Sequence, residues 1–169
     1  MAHVFVIAAQ TLDGFIAKDS NHPAFWTSKE DKERFVKLTK QAGVCIMGSS
    51  TFKTLPRPLK ERHNVVYSRK EKFEGENVET TSEDPIALVQ RLEAQGFNEI
   101  AICGGSAIYS LFLKAGVVDT LYITIEPLLF GKGMTVFSDD MNLQLELKSF
   151  EKTEGGTLML EYKVKNKII

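Results

Sequence analysis

The chain has 169 residues, 43% of them hydrophobic and 25% charged, which suits one well-buried core and leaves too little material for two domains. Lysine and arginine total 21 against 22 acidic residues, a net charge of −1, so no global field draws in nucleic acid or an acidic membrane, and any anion recognition has to be local. The opening MAHVFVIAAQ has no basic leader, no segment approaches the ~20 apolar residues of a membrane span, and Cys45 and Cys103 lie in apolar runs without metal-ligand spacing; a reducing cytoplasm, no metal, no nucleic-acid partner and no membrane partner are expected.

Short runs rich in Val and Ile alternate with amphipathic stretches. Residues 4–9 form the first strand pattern, nearly continuous in apolar residues as a strand covered on both faces should be. A helical pattern follows, in which Asp31 stands four, seven and eleven residues before Phe35, Leu38 and Ala42, on the apolar stripe. VCIMG is the next strand, then a short helix opening at Ser49-Ser50-Thr51, then the strand NVVYS. Asp84-Pro85 reads as an N-cap with proline in the first turn, Ile86, Val89 and Leu92 as the inward stripe, and Gly96 as the stop. The strand EIAICGG leads into a helix over residues 106–115, with Ile108, Leu111 and Phe112 inward and Gly116 ending it; TLYITIEP is the next strand. After Gly133 the period becomes two in LQLELKSF and TLMLEYKV, joined through Glu154-Gly155-Gly156-Thr157, which predicts an antiparallel hairpin at a sheet edge. The rhythm as a whole predicts a mainly parallel α/β sheet in one domain spanning residues 1–169.

Three features bear on chemistry. Asp31 faces inward beside Phe25, Trp26 and Phe35, an aromatic-walled cleft in which desolvation raises a carboxyl's pKa and equips it to hold and protonate a nitrogen heterocycle. Ser28-x-x-Asp31 is equally a capping box, in which the acid only satisfies the helix N-terminus. Gly104-Gly105-Ser106-Ala107 and Gly48-Ser49-Ser50-Thr51 both stand where a strand turns into a helix, where backbone N–H groups and the helix dipole converge on phosphate; each is otherwise a tight turn. In the third, Arg57 and Arg62 stand five residues apart ahead of NVVYS, and Ser68-Arg69-Lys70 follows it, a cation and a hydroxyl where a reader of the 2′-phosphate wants them; this favours NADPH over NADH. The alternative for residues 68–70 is a solvated basic turn flanked by Glu71 and Lys72.

VIAAQTLDGFIA, Trp26 five residues before Asp31, CIMGSSTF, RPLKERHNVVYSR, ICGGSAIY and LYITIEP follow one another in the order, and nearly the spacing, of dihydrofolate reductases. Over roughly residues 4–165 the chain resembles that family, while the IMGxxTF and GGSxIY motifs, Pro127 and Gly131-Lys132-Gly133 are similar to the reductase domain of riboflavin biosynthesis. The resemblance implies a dihydrofolate-reductase-like α/β fold: a mostly parallel twisted sheet of about eight strands with a C-terminal antiparallel hairpin, flanked by about four helices. It implies that Asp31, with Trp26 beside it and Thr124 supporting it, promotes protonation of the pterin; that Ile7, Ala8, Cys103 and Phe35 line the pterin pocket; and that Arg62 receives the α-carboxylate of the glutamate tail, with Arg57 as framework. For NADPH it implies Ala9, Ile16, the turn at Gly48, Ser49, Ser50 and Thr51, the turn at Gly104, Gly105, Ser106 and Ala107 with Ile108 and Tyr109, and Ser68 with Arg69 at the 2′-phosphate. A cis peptide is expected between Gly104 and Gly105, and residues 13–26 correspond to a loop that closes over the nicotinamide.

The reaction implied is hydride transfer from NADPH to dihydrofolate, by a monomer, with a dimer as the alternative. Departures from the family pattern are Ser49 and Ser50 where basic residues are usual, Ser106-Ala107 in the second turn, and His22-Pro23-Ala24 in the loop. Two other functions stay open: a pyrimidine reductase acting on a ribityl phosphate, and a non-catalytic nucleotide-binding domain.

Overall fold

The apolar runs fold as the strands of an α/β protein in a computed structural model, which describes residues 1–167, the last two by backbone alone. In chain order the elements are β1 (His3–Thr11), β2 (Phe15–Ala17), α1 (Lys29–Ala42), β3 (Val44–Gly48), α2 (Ser49–Thr54), β4 (His63–Tyr67) and β5 (Val78–Thr81). They continue as α3 (Pro85–Ala94), β6 (Glu99–Ile102), α4 (Ser106–Lys114), β7 (Thr120–Glu126), β8 (Met134–Thr135), β9 (Leu143–Lys152) and β10 (Leu158–Lys167). An eight-stranded sheet runs β5-β4-β3-β6-β1-β7-β10-β9, and β2 pairs with β8 in a small second sheet. Every junction from β5 to β7 is parallel, whereas β7-β10 and β10-β9 are antiparallel, so the C-terminal hairpin closes the edge as its alternation predicts.

The two faces of β1 explain its apolar composition. Val4, Val6 and Ala8 join a core cluster with Leu88 and Leu92 of α3 and Ile108 and Phe112 of α4, while Phe5 and Ile7 join a second with Phe35, Leu38 and Ala42 of α1. Because both faces are covered, period two would expose nothing useful, and each fully buried Val, Ile or Phe contributes roughly 1.5–3 kcal/mol. Helices on opposite faces also decide where a ligand can enter. The chain leaves β1 and β3 towards the α1–α2 face but leaves β6, which lies between them, towards the α4 face, and a crevice opens at the carboxyl ends of strands where connections diverge in this way.

Three sequence expectations shift. Ile86 is 47% exposed; of the expected stripe α3 buries Leu92 fully and Val89 in part, with Pro85 and Leu88 buried beside them. A 3-then-4 spacing holds one side of a helix, while the 3-then-3 spacing of Ile86, Val89 and Leu92 drifts by about 60° per step. Leu111 of α4 is also exposed, the buried pairs being Ile108 with Phe112 and Tyr109 with Leu113. Arg57 is exposed rather than part of the framework. On β9, Leu145, Leu147 and Phe150 are exposed, and among the described residues no helix is long and apolar enough to cross a membrane.

Candidate active site

A cleft of about 710 Å³ opens at the carboxyl ends of β1, β3 and β6, within the range that suits a small-molecule site. One wall is made by the two glycine turns, which meet: the Gly48 N–H donates to the Gly104 carbonyl at 2.8 Å. The Gly104-Gly105 peptide is cis, as expected. A Cβ on Gly104, whose φ is +111°, would stand 3.1 Å from the Tyr109 hydroxyl, and one on Gly105 would stand 3.3 Å from Thr51 Oγ1. At Gly104 the positive φ and the close approach of α4 call for glycine, while at Gly105 a side chain would crowd Thr51 of α2. Gly105 has no side chain to cap α4, so the first-turn N–H groups of Ser106 and Ala107 remain for a ligand. Tyr109 ties this wall to β1 by donating its hydroxyl to the Ile7 carbonyl at 2.7 Å. If this turn holds NADPH as the family resemblance implies, Gly104→Ala is expected to weaken its binding roughly tenfold or more, since the strained backbone and the displaced Tyr109 ring both act on the turn; fluorescence titration with NADPH checks it.

Asp31 sits across the cleft, only 8% exposed. Half of the capping box forms: Ser28 Oγ accepts the Asp31 N–H at 3.2 Å. The reciprocal bond does not, because the Ser28 N–H donates to Glu126 Oε2 of β7, and the Asp31 carboxyl is left to the cleft. Burial raises the pKa of Asp31, the neighbouring hydroxyl of Thr124 opposes that, the Glu126 carboxylate adds to it, and Thr27 and Lys32 oppose it more weakly. Thr124 lies fully buried beneath the cleft rather than in its wall.

Folded Asp31 keeps its proton to higher pH than the same acid in the unfolded chain, so ionising it costs stability. That margin is present below the unfolded carboxylate range and is lost as pH rises through the folded value. Asp31→Asn is accordingly expected to melt a few degrees above wild type near neutral pH, with the difference closing below about pH 4. Melting curves of both proteins across pH read this directly.

The aromatic wall forms as expected, with Phe25 at its margin. Trp26 and Phe35 line the cleft, and Phe25 borders it while remaining 78% exposed. Trp26 packs edge-on against Phe130, with centroids 5.1 Å apart, and its buried Nε1 has no partner among the described residues, a polar group left for a ligand or water. His22 also packs on Phe130, at 5.7 Å, and Lys18 Nζ lies 5.4 Å from the same ring. Asp13 accepts the N–H groups of Phe130 and Gly131, at 3.2 and 2.7 Å. Residues 13–26 are thus docked on the segment that follows β7, and their Ile16 lines the cleft together with Ala9 of β1.

Arg62 is 7% exposed and lines the cleft. Its Nε donates to the Lys60 carbonyl at 2.7 Å and its Nη1 to Thr39 Oγ1 at 3.0 Å, which fixes the plane of the guanidinium. Among the described residues Nη2 makes no hydrogen bond, so one edge stays available to an acceptor. Ser68 and Arg69 are not brought into the cleft; only Tyr67 before them lines it. Ser68 Oγ accepts the Glu71 N–H at 3.0 Å, and Arg69 is exposed beyond the end of β4. Strand β4 lies outside β3, with Tyr67 level with Gly48, so its following turn stands past the glycine wall.

Glu126 is the residue that sequence reasoning missed. It is 2% exposed, bonded to Ser28 and, at 2.5 Å, to the hydroxyl of Thr157. Its signal was the period of two in β7, which puts Tyr122, Thr124 and Glu126 on one face.

The dihydrofolate reductase family model matches residues 3–157. Dihydrofolate reductase of Haemophilus influenzae is 35% identical over 121 residues, covering 70% of this chain and 69% of its own. The bifunctional dihydrofolate reductase-thymidylate synthase of Acanthamoeba polyphaga mimivirus is 33% identical over 108 residues, covering 57% of this chain, which matches only 19% of that longer protein. A solved structure of a putative riboflavin biosynthesis protein from Shewanella sp. PV-4 superposes with a TM-score of 0.83 at 23% identity, covering 98% of this chain and 100% of that one, a likeness of fold.

Proposed function

Because the chain belongs to the dihydrofolate reductase family, we propose that it reduces 7,8-dihydrofolate to 5,6,7,8-tetrahydrofolate with NADPH. The observation that carries this reading is Asp31, a buried carboxyl turned into the cleft instead of into its own capping box, with a raised pKa. Such an acid holds the amino-pyrimidine edge of a pterin and keeps a proton close to the ring nitrogen beside the reacting carbon. NADPH, when bound, supplies the hydride. The glycine turns fit its phosphates because they present backbone where a Cβ would intrude, and Ser68 and Arg69 are assigned to the 2′-phosphate at the rim. Arg62 receives the glutamate tail on its unpaired edge, and Trp26 with the docked loop keeps water from the reacting pair.

A pyrimidine reductase is the second reading, favoured by the similarity over the whole chain to a protein described as riboflavin-biosynthetic. It would place a ribityl phosphate where the first reading places the glutamate tail. NADPH absorbance decay is followed with purified protein and each substrate. Decay with dihydrofolate supports the first reading, decay only with a ribitylamino-pyrimidine phosphate supports the second, and NADPH binding without decay on either refutes both in favour of a binding domain.

A further inference from the structure

We propose that Glu126 is a positioning residue for Asp31: by taking the N–H of Ser28 it prevents Asp31 from closing its capping box and keeps the acid turned to the cleft. This rests on the reading of Asp31 as the acid of the reaction. An aspartate three residues after a serine N-cap bonds back to the cap's own N–H when that donor is free. Here the donor is taken from outside the helix, by a residue 98 positions away. Glu126 is well fitted to hold it. Its carboxylate lies at the positive end of α1, is sealed from water, and is anchored on its other oxygen by the hydroxyl of Thr157, itself pinned in the β9–β10 turn by the N–H it donates to Thr153 Oγ1 at 3.1 Å. Helix α1, β7 and the hairpin are joined at this one carboxylate.

The charge has a second effect. A buried anion beside Asp31 opposes its ionisation and so keeps a proton in the cleft at higher pH. The other groups facing Asp31 do not cancel it. Lys32 of α1 has its Nζ held by the Thr27 carbonyl and hydroxyl, at 2.5 and 2.9 Å. Arg34 of α1 is turned away onto the Leu160 carbonyl and the Tyr122 ring. Tyr109 of α4 is a neutral phenol, held so by burial, and its hydroxyl is given to Ile7.

The two roles separate by substitution. Glu126→Gln keeps an oxygen for the Ser28 N–H and an amide for the Thr157 hydroxyl but removes the charge, whereas Glu126→Ala removes both. Carboxyl carbon-13 NMR of ligand-free protein follows the Asp31 titration, its signal assigned by its loss in Asp31→Asn. In Glu126→Gln, Asp31 is expected to ionise at lower pH, and turnover on the alkaline limb to fall about threefold to tenfold while the acidic plateau holds within about twofold. In Glu126→Ala, the freed Ser28 N–H captures Asp31, and turnover falls at every pH. A cooperatively melting Glu126→Ala whose turnover matches wild type on the acidic plateau overturns the positioning, and an Asp31 titration in Glu126→Gln that coincides with wild type overturns the effect of the charge. In Glu126→Ala the captured Asp31 should also ionise at lower pH than in Glu126→Gln, because it accepts the Ser28 N–H; the titrations need no substrate, so they decide both points even if dihydrofolate is not turned over.

Discussion

Asp31→Asn is expected to lower dihydrofolate turnover near neutral pH by about a hundredfold to ten-thousandfold while leaving the NADPH dissociation constant within about twofold. The amide has the shape of the acid and can keep the hydrogen bonds to the pyrimidine edge, but it has no proton to give. The cofactor wall is untouched, since Gly48 and Gly104 close it from β3 and β6 without a contact to Asp31. Single-turnover rates and NADPH fluorescence titration read the two halves separately. Unchanged turnover would refute the assignment of the acid. Loss of NADPH affinity in parallel would mean that the substitution has disturbed the cleft as a whole. The same variant is expected to be the more stable protein at neutral pH, so loss of activity together with a gain in melting temperature distinguishes a removed acid from a damaged fold.

Arg62→Leu is expected to raise KM for dihydrofolate about tenfold to a hundredfold with kcat changed only about threefold or less. A charge-assisted pair with a carboxylate acts on ground state and transition state alike when it lies far from the reacting carbon, so it appears in KM. Arg62→Lys recovers only part of the loss, because an ammonium cannot hold Lys60, Thr39 and a ligand oxygen in one plane. A pterin substrate lacking the glutamate tail is the internal control: wild type and Arg62→Leu should then have the same KM. Equal KM values for full dihydrofolate would show that Arg62 is a framework residue bracing α1 through Thr39. The leucine variant should also lose about 1–3 kcal/mol of stability, since the Lys60 carbonyl and Thr39 hydroxyl lose their donor. Urea denaturation of the folded variant measures that loss independently of the kinetics.

Most of the fold could be read from the chain because its causes are local. The apolar runs of β1, β3, β4 and β6, the Asp84-Pro85 start of α3, the glycine turns and the period of two after Gly133 each follow from φ/ψ preference or from one element's own amphipathicity. Strand β5 was not separable from its surroundings, as Val78-Glu-Thr-Thr is short and polar and is held by its pairing to β4. The small β2–β8 sheet likewise joins segments far apart in the chain.

The candidate site divides along the same line. The sequence by itself determined that Asp31 faces inward, that two glycine turns open helices at strand ends, and that Arg62 precedes a buried strand, because side-chain direction follows from position within a helix or strand. Only the tertiary structure decided which reading of Ser28-x-x-Asp31 holds, since the donor both acids could claim is taken by Glu126 from β7. It also placed Ser68 and Arg69 beyond the cleft wall and left Phe25 largely exposed at the cleft's margin. Those outcomes depend on strand order and on which surfaces meet across the core, and long-range packing of that kind leaves no periodic trace in any one segment of the chain.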